Sequence, residues 1–317
     1  METPKKQHEG SDGIDRRGML QCMAWVGTGL IWSLSGGIPA ARVFGQETEQ
    51  TRRRGFSFVQ ISDSHIGFSK APNKDVVGTL RTVVARINAL PHRPAFVLHT
   101  GDLTHLARAE EFDTVSEVLK GLKTTVFYLP GEHDFDTADN RLYLERFGKG
   151  THGRGWYSFD HSGVHFIGLV NVANAQSGSA NGLGQIGAEQ LHWLERDLGN
   201  LAASTPVVVF AHVPLWMVYP KWGWGTQDAA RALALLKRFG SVTILNGHIH
   251  QVMQKVEGKV TFHTARSTAF PQGEPGKGKP GPMRDLPANR LRQTLGLSQV
   301  AYVEGDRSLA IVDSTLQ

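Results

Sequence analysis

Cysteine is nearly missing: Cys22 is the only one among 317 residues. No disulfide can close within the chain, and thiolate metal sites are excluded, so any metal must be held by His, Asp, Glu or Asn. An excess of one charge is also missing. Lys and Arg number 34 against 29 Asp and Glu, a net +5, and the one arginine run, Arg52-Arg53-Arg54, falls in a linker-like stretch. That balance permits attraction to phosphate-bearing partners but supplies no basic, aromatic-studded groove, so nucleic acid is not an expected partner. No internal repeat is visible. Nor is there a G-x-S-x-G nucleophile turn or an H-E-x-x-H helix; His161 and His165 are spaced H-x-x-x-H, but within a hairpin pattern. A hydrophobic share of 40% with 20% charged residues excludes wholesale disorder and leaves room for one large α/β domain of about 200–250 residues plus a targeting segment.

The first of the features present is that segment, residues 1–45. A polar stretch leads to Arg16-Arg17, a modestly apolar run follows from Met19 to Ile38, and small residues close it at Pro39-Ala40-Ala41. Asp15-Arg16-Arg17-Gly18-Met19-Leu20 resembles a twin-arginine export motif, with Gly in the position after the pair. The expectation is export, to the periplasm or beyond. The alternative is an uncleaved anchor, since about 20 residues can span a bilayer, and this would be the chain's only membrane contact. Cys22 precedes most of the apolar run, which does not suit a lipoprotein cleavage site. Residues 46–55 read as a Gln/Glu/Arg-rich linker, and 56–317 as the folded domain.

Strand-like and helix-like segments then alternate. Strands are predicted at 56–61, 95–99, 125–129, 207–210 and 242–245, and helices at 75–90, 112–122, 187–198 and 227–238 from their apolar stripes. Hairpins are predicted around His161-Ser162-Gly163 and Glu257-Gly258, and a last strand pair around Glu304-Gly305-Asp306. Residues 271–296 form a Pro/Gly/Lys-rich loop within the domain. The alternation predicts a single α/β domain with parallel and antiparallel strands.

Five of the strands run directly into side chains able to ligate a metal. They are Asp63 and His65, Asp102 after Gly101, Glu132-His133-Asp134 after Gly131, His212, and His248 and His250 after Gly247. Open α/β sheets build sites at the carboxyl ends of strands, where side chains from several strands converge on a rigid frame. One D-x-H or G-D pair carries little; five in order, each at a strand end, point to one centre. Fourteen histidines point the same way.

The order D-x-H, G-D, G-x-H-D, H, G-H-x-H, over residues 56 to about 265, resembles the calcineurin-like metallophosphoesterase superfamily. The resemblance implies a four-layer α/β/β/α sandwich of mixed sheets with a dinuclear site between them. It implies two metal ions (Fe, Mn or Zn), the first held by Asp63, His65 and His250, the second by Glu132, His212 and His248, with Asp102 bridging. His133 would lie close to the leaving-group oxygen and Asp134 would orient its ring. The implied activity is hydrolysis of a phosphate ester by a metal-bridging hydroxide. A phosphomonoesterase of the same fold, or a metal-binding interaction module without turnover, stays open beside it. Nothing in the sequence fixes the oligomeric state.

Glu132 departs from the family pattern, which has Asn there. Asp63, Asp102 and Glu132 set against two divalent ions leave one positive charge, and a hydroxide would neutralise the site. The expectation is therefore a trivalent ion in one position or a substrate of low charge, such as a diester. Around this centre, Trp216, Tyr219, Trp222 and Trp224 follow His212 and could border the site or simply pack. Lys277, Lys279 and Arg284 could cover the site or sit on a plain loop. His105 reads as supporting or solvent-facing, His99 and His263 as core, and Asn246 as a support for the His248 turn.

Overall fold

A computed structural model describes residues 30–35, 38–43, 55–135, 140–172, 182–306 and 309–317. The chain forms two compact units, residues 1–49 and 50–317. Of the first, two antiparallel strands are described, β1 (Leu30–Ser35) and β2 (Ile38–Val43). The twin-arginine motif, Cys22 and the start of the apolar run lie outside the described residues. Among the described residues no helix is long and apolar enough to cross a membrane.

Two mixed sheets build the second unit. In the first, β3 (Gly55–Ile61), β4 (Phe96–His99) and β5 (Thr125–Tyr128) run parallel. β12 (Gly296–Val303) and β13 (Ala310–Thr315) add antiparallel beyond β3, giving the order β13-β12-β3-β4-β5. In the second, β7 (Val164–Leu169), β8 (Val207–Ala211), β9 (Val242–Asn246) and β11 (Val260–Thr264) are parallel. Antiparallel edges β6 (Tyr157–His161) and β10 (Gln254–Glu257) complete the order β10-β11-β9-β8-β7-β6.

Period-two alternation sorts the layers. On β3, Val59 and Ile61 face α1 (Val76–Asn88) and α2 (Ala109–Leu119), while Phe58 faces the other sheet. On β8, Val207, Val209 and Ala211 pack on α4 (Ala188–Gly199) and α5 (Ala229–Leu236). Val208 and Phe210 instead meet Phe58, Phe96, Leu98 and Phe166 between the sheets. Each such side chain contributes about 1.5–3 kcal/mol by leaving water. The result is the expected α/β/β/α sandwich. The α1 stripe (Val76, Leu80, Val83, Val84, Ile87) is buried as its spacing requires, and Asp75 caps it by accepting from Gly78 N at 2.8 Å. α3 (Arg141–Phe147) was not legible: seven residues are too few for a period to stand out, although Tyr143 is fully buried. Within the segment expected as loop, residues 288–294 turn helical and end in α6 (Leu291–Thr294).

Polar links tie the sheets where apolar packing alone would leave register loose. Gln60, inward on β3, donates to Thr100 Oγ1 and to the carbonyl of Asn246, each at 3.1 Å. His263 on β11 reaches Asp313 on β13 at 3.0 Å, so this core histidine joins the two sheets. His165 on β7 bonds Asp160 of β6 at 2.7 Å and Asp197 of α4 at 2.9 Å. Burial opposes charge on His165, but the hydrogen bonds its ring donates to the carboxylates of Asp197 and Asp160 raise its pKa above the ordinary 6.5. Such a group adds stability that is complete below 6.5 and is lost as pH rises through the raised folded value. Thermal unfolding of wild type and His165→Gln should thus differ most near pH 6 and converge toward pH 9. An equal difference at both ends would show that the ring acts only by packing.

Candidate metal centre

All seven expected donors lie at the carboxyl ends of strands, on one end of the sandwich. Asp63 and His65 follow β3, Asp102 follows β4, and Glu132, in a single 3-10 turn (Glu132–Asp134), follows β5. The second sheet supplies His212 after β8, and His248 and His250 after β9. Five of the seven take left-handed backbone angles: Asp63 (φ 55°), His65 (41°), Asp102 (53°), His248 (69°) and His250 (56°). Asp and His tolerate this region better than branched residues, but each still costs on the order of 1 kcal/mol. Hydrogen bonds hold the turns: Asp63 N to Gly101 O, His65 N to Asp102 O, and His248 N to Asp63 Oδ1 at 2.9, 2.9 and 3.1 Å. The glycines allow close approach. A Cβ on Gly131 would overlap Asp102, and one on Gly247 would overlap Ser62 and Asp63.

The donors form two groups, Asp63-His65-Asp102-His250 and Glu132-His212-His248. Asp102 stands between them: its Oδ2 is 3.4 Å from His65 Nε2 in one and 3.4 Å from His212 Nε2 in the other. Its Oδ1 accepts the backbone N–H of His133 at 2.9 Å. Glu132 lies 2.9 Å from His212 Nε2 and 2.8 Å from His248 Nδ1, so its longer side chain reaches both histidines of its group. His65 Nε2 and His250 Nε2 are 3.2 Å apart, and Asp63 Oδ1 is 3.2 Å from the latter.

Tautomers decide what this crowding means. His212 Nδ1 is 2.7 Å from the Thr100 carbonyl and His250 Nδ1 is 2.6 Å from the Phe270 carbonyl. A carbonyl only accepts, so both Nδ1 atoms carry hydrogen, and in the neutral rings both Nε2 atoms turn lone pairs toward the carboxylates. Lone pairs facing carboxylates at these distances repel unless a cation or protons lie between. Burial resists charge on His212, yet Asp102 and Glu132 raise its pKa well above the ordinary value. Burial likewise favours neutral carboxyls, but His250 holds Asp63 down at about 2, and His248 and His212 hold Glu132 well below the usual range. Three anionic carboxylates and imidazole nitrogens form a hard-to-borderline donor set that fits two ions such as Fe, Mn or Zn.

His133 and Asp134 sit beside this set but not as expected. The carboxylate of Asp134 makes no hydrogen bond to the His133 ring. It accepts from Leu103 N (3.0 Å), Thr104 N (2.8 Å), Thr104 Oγ1 (2.8 Å) and Gly131 N (2.8 Å), locking the loop of Asp102 to that of Glu132. Burial and the Asp102 charge push Asp134 up to about 7 against those bonds. The ring is held instead by the carbonyl of His105, 2.7 Å from His133 Nδ1, with the His105 ring stacked on it at 5.0 Å. Burial disfavours charge on His133, but Asp102 and Glu132 outweigh it and raise its pKa. Backbone amides pointing into the turn outcompete the neighbouring ring for the short Asp134 side chain.

Several supports were not foreseen. Phe270 packs against the His65 and His250 rings at 4.7 and 4.8 Å, and Ser267 Oγ donates to Asp63 O at 2.8 Å. Both lie just past β11, another parallel strand whose carboxyl end opens on the same side; that position was the available signal. Asn246 supports His212 rather than the His248 turn, donating to the carbonyls of Ala211 (2.8 Å) and Val213 (3.1 Å). His99 bonds Ser64 Oγ at 3.0 Å, and burial pushes its pKa to about 3, so it stays neutral. Trp224 is buried packing; Tyr219 and Trp222 are half-buried. Lys277 pairs with Glu274 at 2.8 Å on the exposed loop.

A family model described as calcineurin-like phosphoesterase matches residues 56–252. A 3',5'-cyclic-nucleotide phosphodiesterase of Nostoc sp. is 26% identical over 68% of this chain and 79% of its own length. A glycerophosphodiester phosphodiesterase of Enterobacter lignolyticus is 26% identical over 66% of this chain and 76% of its own. Among solved structures, a dimetal phosphatase from Danio rerio superposes with a TM-score of 0.58 at 15% identity, covering 83% of this chain and 99% of that one.

Proposed function

The chain belongs to the calcineurin-like phosphoesterase family, and from that premise we propose that it hydrolyses phosphodiesters at a centre of two metal ions. The observation that carries this reading is Asp102, equidistant from a histidine of each donor group and placed where one carboxylate can join two cations. Asp63, His65 and His250 would hold one ion and Glu132, His212 and His248 the other. When bound, the ions supply Lewis acidity toward the phosphoryl oxygens and a water-derived nucleophile near neutral pH.

The protein's own groups do the rest. The turns at Asp63 and Asp102 aim both carboxylates into the centre, and His250 keeps the Asp63 carboxylate ionised. His133, its Nδ1 fixed on the His105 carbonyl, presents Nε2 to the substrate and donates a proton there to the departing alkoxide or a phosphoryl oxygen. Its raised pKa favours the protonated ring that this role needs. Glu132 sets the charge. Three carboxylates leave little net positive charge beside two divalent ions to attract a dianion, which supports either a singly charged diester as substrate or a trivalent ion in one position. Both relatives named above carry phosphodiesterase names.

The test is hydrolysis of bis(p-nitrophenyl) phosphate against p-nitrophenyl phosphate after loading with Mn, Fe or Zn, with metal content measured in the same samples. The expected result is two metals per chain and at least about tenfold higher kcat/KM for the diester. A di-zinc protein that prefers the dianionic monoester would overturn the charge argument, and two bound metals with no turnover of either ester would leave a binding module. We also propose export by the twin-arginine route, tested by fusing residues 1–45 to a reporter that is active only after folded transport.

A further inference from the structure

We propose that the rim of the metal centre is an apolar platform that selects phosphoesters carrying an apolar alcohol, alkyl or aryl; this rests on the phosphoesterase reading above. Four large hydrophobic side chains stand out as exposed among the described residues: Leu106 (54%), Met217 (46%), Met283 (41%) and Val256 (70%). Val256 lies on edge strand β10. The other three share a different address, on loops that carry or hold the residues of the centre. Leu106 follows His105, whose carbonyl fixes the His133 ring. Met217 follows His212 on one loop, which Asn246 and Asn171 anchor at the Val213 carbonyl. Met283 lies in the loop that Gln272 ties to the His248 carbonyl at 2.8 Å, and its own N–H returns to Pro271 O at 3.0 Å.

Two of these loops meet. A Cβ on Gly276 would stand 3.4 Å from the Tyr219 hydroxyl, so the loop of Met283 lies against the loop of Met217. Tyr219 packs edge-on against Trp222 at 5.4 Å, and Trp222 against the buried Trp224 at 5.2 Å. The aromatic pair is therefore backed by a buried ring and is itself half-buried.

Scattered single hydrophobics on a surface carry no meaning, but three of four on loops that carry or hold residues of a buried, charged centre do. The centre takes the phosphoryl group, so the ester's alcohol group must emerge over the surrounding loops. A glycerol-like alcohol would gain nothing against Leu, Met and aromatic side chains. An alkyl or aryl group would leave water there, and unbranched methionines adapt to either shape.

The experiment uses the metal-loaded full chain and three diesters with one common leaving group: p-nitrophenyl methyl, p-nitrophenyl hexyl and p-nitrophenyl phenyl phosphate. Wild type should show about tenfold higher kcat/KM for the hexyl and phenyl esters than for the methyl ester. The triple variant Leu106→Ser, Met217→Ser, Met283→Ser should bring that ratio near one at unchanged metal content. The hexyl and phenyl arms separate lipid-like from aromatic preference. Binding of methyl- and hexylphosphonate, followed by calorimetry, gives a readout independent of turnover. Tighter hexyl binding that the variant loses supports the platform even if no ester is hydrolysed. Equal rates across the wild-type series, or equal binding of the two phosphonates, overturns it while leaving a hydrolysing enzyme intact.

Discussion

Replacing Asp102 with alanine should lower phosphoester hydrolysis by about a thousandfold or more, a loss of at least about 4 kcal/mol of transition-state stabilisation. The side chain is buried at 2% exposure and faces both donor groups at 3.4 Å. Its removal leaves each group with fewer anionic donors and takes away the one carboxylate able to screen two cations from each other. Metal content should fall from two toward one per chain. The variant should still fold, because removing an anion from a cluster of buried carboxylates relieves repulsion even as it deletes a hydrogen bond to His133 N. Metal analysis, circular dichroism and steady-state kinetics on one preparation would check all three. Activity within tenfold of wild type, with two metals retained, would remove Asp102 from the bridging role.

The second large effect concerns stability. Asp134→Ala should cost about 3–5 kcal/mol, because it leaves three buried backbone N–H groups without the acceptor they share, while the Thr104 hydroxyl keeps the His133 carbonyl at 3.0 Å. For a domain of this size that is roughly 10 °C in the unfolding midpoint. Asp134→Asn should fall between, since its amide keeps one acceptor oxygen but turns an N–H donor toward N–H groups. If Asp134→Ala melts like wild type and loses only activity, the carboxylate acts on the His133 ring after all.

These two residues show what the sequence could and could not convey. Asp102 was readable as a member of the site from its position, a carboxylate right after a buried strand, preceded by a glycine, in a chain with four more such strand ends; its bridging role came from the family resemblance. Asp134 was readable as a member of the site but misread in its task. Which of several nearby donors a short side chain satisfies depends on the turn that folds around it; three of its four donors come from Leu103 and Thr104, 31 and 30 positions earlier, and the fourth is Gly131 N at the start of its own turn. The strands of both sheets were legible through alternation and apolar runs, and α1 through its stripe. α3 was too short to register. Phe270 and Ser267 were missed because an aromatic and a small polar residue in a loop carry no local signature; only the parallel pairing of β9 with β11 brings them under the histidines.

The donors divide between the sheets in a way that bears on how the molecule comes together. Asp63, His65 and Asp102 belong to the first sheet and His250 to the second; Glu132 belongs to the first and His212 and His248 to the second. Neither ion position can be completed from one half of the sandwich. A cation captured there would clasp the two halves, adding resistance to unfolding that grows with the logarithm of its free concentration. Loading the centre would then reinforce a sandwich that its apolar layers have already closed.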